Sequence, residues 1–182
     1  MAMHMATKLK HWTLEELHSL PEDGNKYELI RGELFVTPPP TDEHETILAR
    51  LTRVLDRFVD AHHLGHVYHP RAVFRLEGSE VEPDLMVRQE ATGLGNAWEK
   101  APLPLLIVEV FSPTTRRRDQ VQKHDFYMDA GIPEYWMIDP EQRVVSVVRA
   151  GGERNTVSDT LLWRVPNVSE ALTIPLGEIF GP

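Results

Sequence analysis

The segment Leu105-Leu106-Ile107-Val108-Glu109-Val110-Phe111 constrains this chain more than any other. It is apolar without alternation, which is the pattern of a strand buried on both faces. A strand of that kind needs cover on both sides, so it belongs in a layered α/β domain. Glu109 interrupts the run, and an unpaired buried carboxylate costs roughly several kcal/mol. The same conflict recurs in Val81-Glu82-Pro83-Asp84-Leu85-Met86-Val87, where Asp84 reads as an acid inside an apolar strand from Val81 to Arg88. A divalent cation would resolve both conflicts, because Mg²⁺ takes carboxylate oxygens and commonly binds through one or two of them.

The neighbouring elements follow from periodicity. Thr13 and Glu16 have the spacing of a capping box for a short helix. Lys26 to Ile30 and Glu33 to Val36 read as an N-terminal hairpin around Arg31-Gly32. From Asp42 to about His62, Ile47, Leu48, Leu51, Val54, Leu55, Phe58 and Val59 recur at helical spacing. Thr41 is the expected N-cap and Gly65 the expected stop. His66 to Leu76 reads as one strand, and Ala91 to Lys100 as a loop. A helix is expected from about Arg116 to Ala130, capped by Thr114 or Thr115 and closed by Gly131 and Pro133. Glu134 to Asp139 is a further strand. Arg143 to Arg149 with Asn155 to Arg164 forms a C-terminal β-hairpin, and the remaining C-terminal stretch is read as irregular. The order predicts a central mixed sheet flanked by helices. No G-x-G-x-x-G or G-x-x-x-x-G-K-[ST] occurs, which disfavours a doubly wound nucleotide-binding fold.

Lys123 is a third anomaly. It stands three and four residues before Phe126 and Tyr127, on the inward stripe of its helix, so it is expected to point over the sheet toward Asp84 and Glu109. Each of the three has an ordinary alternative, surface pairing for either acid and a solvent-reaching amine for the lysine. Their common face favours a joint site.

Composition sets the outer bounds. A chain of 182 residues suits one domain, here taken as residues 26–182 after an extension and short helix over 1–25. Without an 18-residue apolar run, no membrane span is expected. Met1 to Met5 offers no export signal, so a cytoplasmic location is the expectation. The absence of cysteine excludes disulfides, thiolate catalysis and cysteine-based zinc sites. The net charge of −9 runs against the basic footprint of a nucleic-acid binder, although Arg116, Arg117 and Arg118 form a local basic cluster. His62, His63, His66 and His69 cluster, but no regular spacing aims them at one point, and zinc is not expected there.

Val81-Glu82-Pro83-Asp84 followed by Ile107-Val108-Glu109-Val110 resembles the PD-(D/E)XK nuclease superfamily. More closely, the chain from Tyr27 is similar to the Uma-two family of restriction-endonuclease-like proteins. The matching pieces are Tyr27 to Leu34, His44, Glu82-Pro83-Asp84, Val108 to Thr114, Lys123, Tyr127 and Ala130 to Trp136. The superfamily places a lysine two residues after the second acid, where this chain has Phe111. The resemblance implies that Lys123 substitutes for it. It further implies a restriction-endonuclease-like core and Mg²⁺-dependent hydrolysis of DNA phosphodiesters, with Mn²⁺ as a substitute metal. Asp84, Glu109 and the Val110 carbonyl would hold the metal, and Lys123 would orient water or offset charge. Glu28 would be a third acid and His44 a further candidate, on the inward stripe at its helix start. Glu33, Glu82 and Asp139 are assigned to surface pairs or turn caps. A homodimer, which would supply two sites for cutting both strands, is compatible with this reading. Two rivals remain: a nuclease-like module that binds nucleic acid or protein without cutting, and a hydrolase using Asp84 and Glu109 as an acid/base pair. Alanine at Asp84 or Lys123 is expected to abolish Mg²⁺-dependent cleavage with the fold intact.

Overall fold

The computed structural model describes residues 10–90, 98–112 and 119–181. The chain opens with α1 (Leu14–His18), β1 (Lys26–Ile30), β2 (Glu33–Thr37) and the long α2 (Asp42–Ala61). Four short strands follow: β3 (His66–Tyr68), β4 (Phe74–Leu76), β5 (Ser79–Val81) and β6 (Leu85–Arg88). After a 3₁₀ turn (Trp98–Lys100) come β7 (Leu106–Val110), a π turn (Asp119–Lys123) and α3 (His124–Asp129). The chain finishes with β8 (Glu134–Asp139), β9 (Val144–Arg149), β10 (Arg154–Val157), β11 (Thr160–Trp163), β12 (Leu172–Pro175) and α4 (Leu176–Phe180).

The central sheet has six strands in the order β10-β9-β8-β7-β6-β3. It is mixed, because β7 and β8 run parallel while the other pairs are antiparallel. A second sheet of four strands runs β2-β1-β5-β4, and β11 pairs with β12 alone. Alternation along β7 shows how the layers form. Leu106, Val108 and Val110 pack with Leu51, Leu55 and Phe58 of α2. Ile107 and Phe111, from the opposite face, pack with Phe126 and Tyr127 of α3 and with Ile30 and Val81 of the smaller sheet. The α/β core expected from the sequence, a central mixed sheet flanked by helices, is the observed one.

Local signals explain the element ends. Thr13 and Glu16 form the reciprocal capping box of α1, and the Thr41 side chain caps α2 by accepting from the His44 amide. Both α2 and α3 end in a Schellman motif. In α2 the amides of His63 and Leu64 donate to Asp60 and Val59. In α3 those of Gly131 and Ile132 donate to Met128 and Tyr127. Gly65 is therefore not the stop of α2; His62 is the C-cap, and Gly65 lies against the Arg88 backbone.

Several expected elements are corrected. The strand read over His66 to Leu76 is two strands in different sheets, as is the one read over Val81 to Arg88. Each breaks at a proline, Pro70 and Pro83, which cannot donate to a ladder. The C-terminal hairpin is shorter than expected: β9 pairs with β10, while β11 pairs with β12 from the stretch read as irregular. The helix expected from Arg116 begins instead, among the described residues, as a π turn leading into α3. Its expected caps Thr114 and Thr115, and the basic cluster Arg116–Arg118, lie outside the described residues. No helix among the described residues is long and apolar enough to cross a membrane.

Candidate functional site

Asp84 sits at the bend where the chain leaves the smaller sheet and enters β6 of the central one. It is thus at a strand mouth, not inside a strand as expected. The β6–β7 register pairs Leu85 with Val108, and one further step sets Asp84 across from Glu109. The Val110 amide donates to Asp84 Oδ2 at 2.9 Å. Two side chains complete the clamp: Lys26 Nζ donates to Oδ1 at 3.1 Å, and His44 Nε2 donates to Oδ2 at 3.1 Å. Lys26 also donates to the Glu82 carbonyl at 3.1 Å. Burial pushes the Asp84 carboxyl up, but Lys26, the His44 hydrogen bond and charge, and Lys123 together hold it far below the usual carboxylate range. For His44, burial disfavours the charged ring. The hydrogen bond and charge of Asp84, helped by Glu45, outweigh that and raise its pKa.

Glu109 faces the other way from the α2 layer, with Ile107 and Phe111. Its side chain is 1% exposed, and Oε1 accepts from Lys123 Nζ at 2.6 Å and from the Tyr127 hydroxyl at 2.8 Å. Lys123 is itself fully buried and lies 2.8 Å from Glu28 Oε1, which also accepts from the Glu82 amide at 3.0 Å. One ammonium therefore bridges two buried carboxylates. The helical spacing of Lys123 and Tyr127 brings both onto this face. Burial, and then the Glu109 charge, raise the Tyr127 phenol well above its ordinary value, so it remains a donor.

The site opens on a cleft of about 890 Å³. Lys26, His44, Glu82, Asp84, Glu109 and Val110 line it, together with the Pro38–Pro40 wall. Lys123, Glu28 and Tyr127 stand behind this lining. The sequence reading of Asp84, Glu109, Lys123, Glu28 and His44 is thus gathered into one cluster. It missed Lys26, and it named Tyr127 as a stripe residue and a family match without giving it a place in the site. Lys26 lies two residues from Glu28 and shares its face of β1, but its carboxylate partner is 58 residues away in sequence, so spacing along β1 did not reveal the pair. Glu33 takes a hydrogen bond from Gln122, and Asp139 caps the turn after β8 by accepting from the Gln142 amide. Glu82, by contrast, is half-buried in the cleft wall, and burial raises its carboxyl.

Asp84, Glu109 and the adjacent backbone of Val110 supply hard oxygen donors at one cleft, a set that suits Mg²⁺. Among the described residues, no group of three or more His, Asp or Glu side chains is placed to hold a metal ion.

A solved structure from Anabaena variabilis ATCC 29413, described as "a putative nuclease belonging to DUF820", matches this fold with a TM-score of 0.77. The match covers 92% of this chain and 97% of that one at 23% identity, a level that speaks to fold alone. No curated protein matches the chain significantly. A family model described as "Uma2: Putative restriction endonuclease" matches residues 14–177. That span takes in the capped α1, both layers around the central sheet and every side chain of the cluster from Lys26 to Tyr127, and the chain belongs to the Uma2 family.

Proposed function

We propose that the protein is a metal-dependent nuclease that hydrolyses DNA phosphodiester bonds in this cleft. The observation that carries the reading is the opening of two recessed carboxylates, Asp84 at the mouth of β6 and Glu109 on β7, into one cleft with cationic side chains beside them. Asp84, Glu109 and the Val110 carbonyl would hold the metal. When bound, Mg²⁺, or Mn²⁺ in its place, supplies Lewis-acid activation of water and stabilises charge on the phosphate.

The chain's own residues divide the remaining work. Val110 fixes Asp84 through its amide, and Tyr127 fixes Glu109 through its hydroxyl. Lys123 does not line the cleft, so its role is to neutralise and orient Glu109. Lys26 and His44 do line it, and they are the cations placed to offset charge on an incoming phosphate. This moves onto Lys26 and His44 the contact that the sequence motif assigns to Lys123.

Cleavage of plasmid and linear DNA in Mg²⁺ and in Mn²⁺ tests the proposal. Asp84→Asn and Glu109→Gln should abolish cutting, while Lys26→Ala and His44→Ala should slow it and retain Mn²⁺ binding. Unchanged cutting in both carboxylate variants would overturn it. A second reading, a module that binds DNA without cutting, is favoured by one observation: Lys26, His44 and the Val110 amide already engage both oxygens of Asp84. Retained DNA binding with no calorimetric Mn²⁺ signal would select that reading.

A further inference from the structure

The carboxylates at the floor are recessed: Glu109 is 1% and Asp84 5% exposed. A phosphodiester reaches them only by entering the cleft. At about 890 Å³ the cleft has the size of a small-ligand site, within the usual range of roughly 300–1,000 Å³. That space encloses a short segment of one strand, not a stacked double helix. Part of its wall is stiff and apolar, with Pro38, Pro39 and Pro40 on one segment and Pro70 on another. Prolines lack an N–H, so their backbone offers sugars and bases a surface without donors that read base edges.

The charges at the cleft point the same way. Arg53 of α2 and Arg71 of the β3–β4 connection line it and are exposed. Neither makes a hydrogen bond or ion pair among the described residues, although Arg71 acts on Glu82 at longer range. Two such guanidiniums suit two phosphates. A duplex footprint would ask for a broader basic stripe, which sits poorly with a net charge of −9.

We propose that the cleft admits a single DNA strand in preference to a duplex, with Arg53 and Arg71 each holding a phosphate of the enclosed segment. The proposal rests on reading the cleft as a DNA site. It also carries a consequence for specificity: recognition is by backbone and shape, and is tolerant of base sequence.

Fluorescence anisotropy on the Asp84→Asn protein, with a labelled oligothymidine, a mixed-sequence single strand and its duplex, tests it. Single strands should bind about tenfold more tightly than the duplex, a difference of about 1.4 kcal/mol. The two single strands should bind alike. Arg53→Ala and Arg71→Ala should each weaken single-strand binding and each lower the log K against log salt slope by about 0.7, the single-strand value per phosphate contact. Equal or tighter duplex binding, no binding of either form, or unchanged slopes in both arginine variants would overturn the proposal. A parallel cleavage assay with Asp84 intact separates the two readings. Single-strand binding without cutting in Mn²⁺ sinks the nuclease reading and leaves this one standing. Metal-dependent cutting of duplex, indifferent to Arg53 and Arg71, does the reverse.

Discussion

Lys123 is the residue on which the interior of the site depends. Its ammonium lies 2.6 Å from Glu109 and 2.8 Å from Glu28, with all three side chains at or near zero exposure. Removing one partner of a buried ionic group leaves uncompensated charge, which costs about 3–5 kcal/mol. Lys123→Met should therefore lower unfolding stability by about that amount in urea titration. Combining it with Glu28→Gln should restore part of the loss, since one stranded carboxylate is then gone. Equal stability of Lys123→Met and the native protein would refute the bridging role. The expectation that alanine here spares the fold treated Lys123 as a reagent facing substrate. Its position on the inward stripe was legible from spacing with Phe126 and Tyr127. Its distance from the cleft surface was not, because helical periodicity gives a direction and no depth. Lys26 shows the converse. Its sequence context is an ordinary strand start beside a loop, and only the return of Glu82-Pro83-Asp84 against β1 gives it a carboxylate to hold.

At the scale of elements, long periodic segments were legible and short apolar runs were not. The α2 stripe was readable residue by residue, and its burial follows that stripe. The run Val81 to Arg88 looks continuous because both of its strands are buried, and burial erases the alternation that would mark a change of sheet; His66 to Leu76 is only partly buried, and its apolar residues show no regular period that marks the break. Pro70 and Pro83 were the available signals. The corner at Pro83 matters most, since it delivers Asp84 to the mouth of the central sheet. Two glycines test how tightly the ends are fixed. Gly131, at φ +79°, closes α3 with open space where a Cβ would stand. Gly131→Ala should cost about 1–2 kcal/mol, the conformational penalty alone. Gly65, at φ +110°, has the Arg88 carbonyl and Gln89 Cα where a Cβ would stand. Backbone at the end of β6 cannot move aside cheaply, so Gly65→Ala should be clearly the more destabilising in urea unfolding. The reverse order would mean that the α2–β6 junction is looser than its geometry.

For the whole molecule, the question is how a chain of net charge −9 approaches a polyanion. The cleft repeats the problem in miniature: Glu45, Glu82, Asp84 and Glu109 line it against Lys26, Arg53 and Arg71, with His44 and His69 beside them. Four carboxylates facing Lys26, Arg53, Arg71 and the His44 ring leave the lining without the positive excess on which phosphate binding normally depends. Under the proposed function, a divalent cation held by Asp84 and Glu109 reverses that balance, so it governs binding as well as chemistry. DNA affinity measured by anisotropy should then rise when Ca²⁺, an oxygen-seeking cation like Mg²⁺, is added to the native protein. The Asp84→Asn/Glu109→Gln protein has lost two negative charges by substitution. It should bind DNA in EDTA more tightly than the native protein does, and Ca²⁺ should add little. The sign of the comparison in EDTA decides the matter. If the neutralised variant binds no better than the native chain, the floor carboxylates do not repel the phosphate, and the approach of DNA is governed by Arg53, Arg71 and the cleft walls alone.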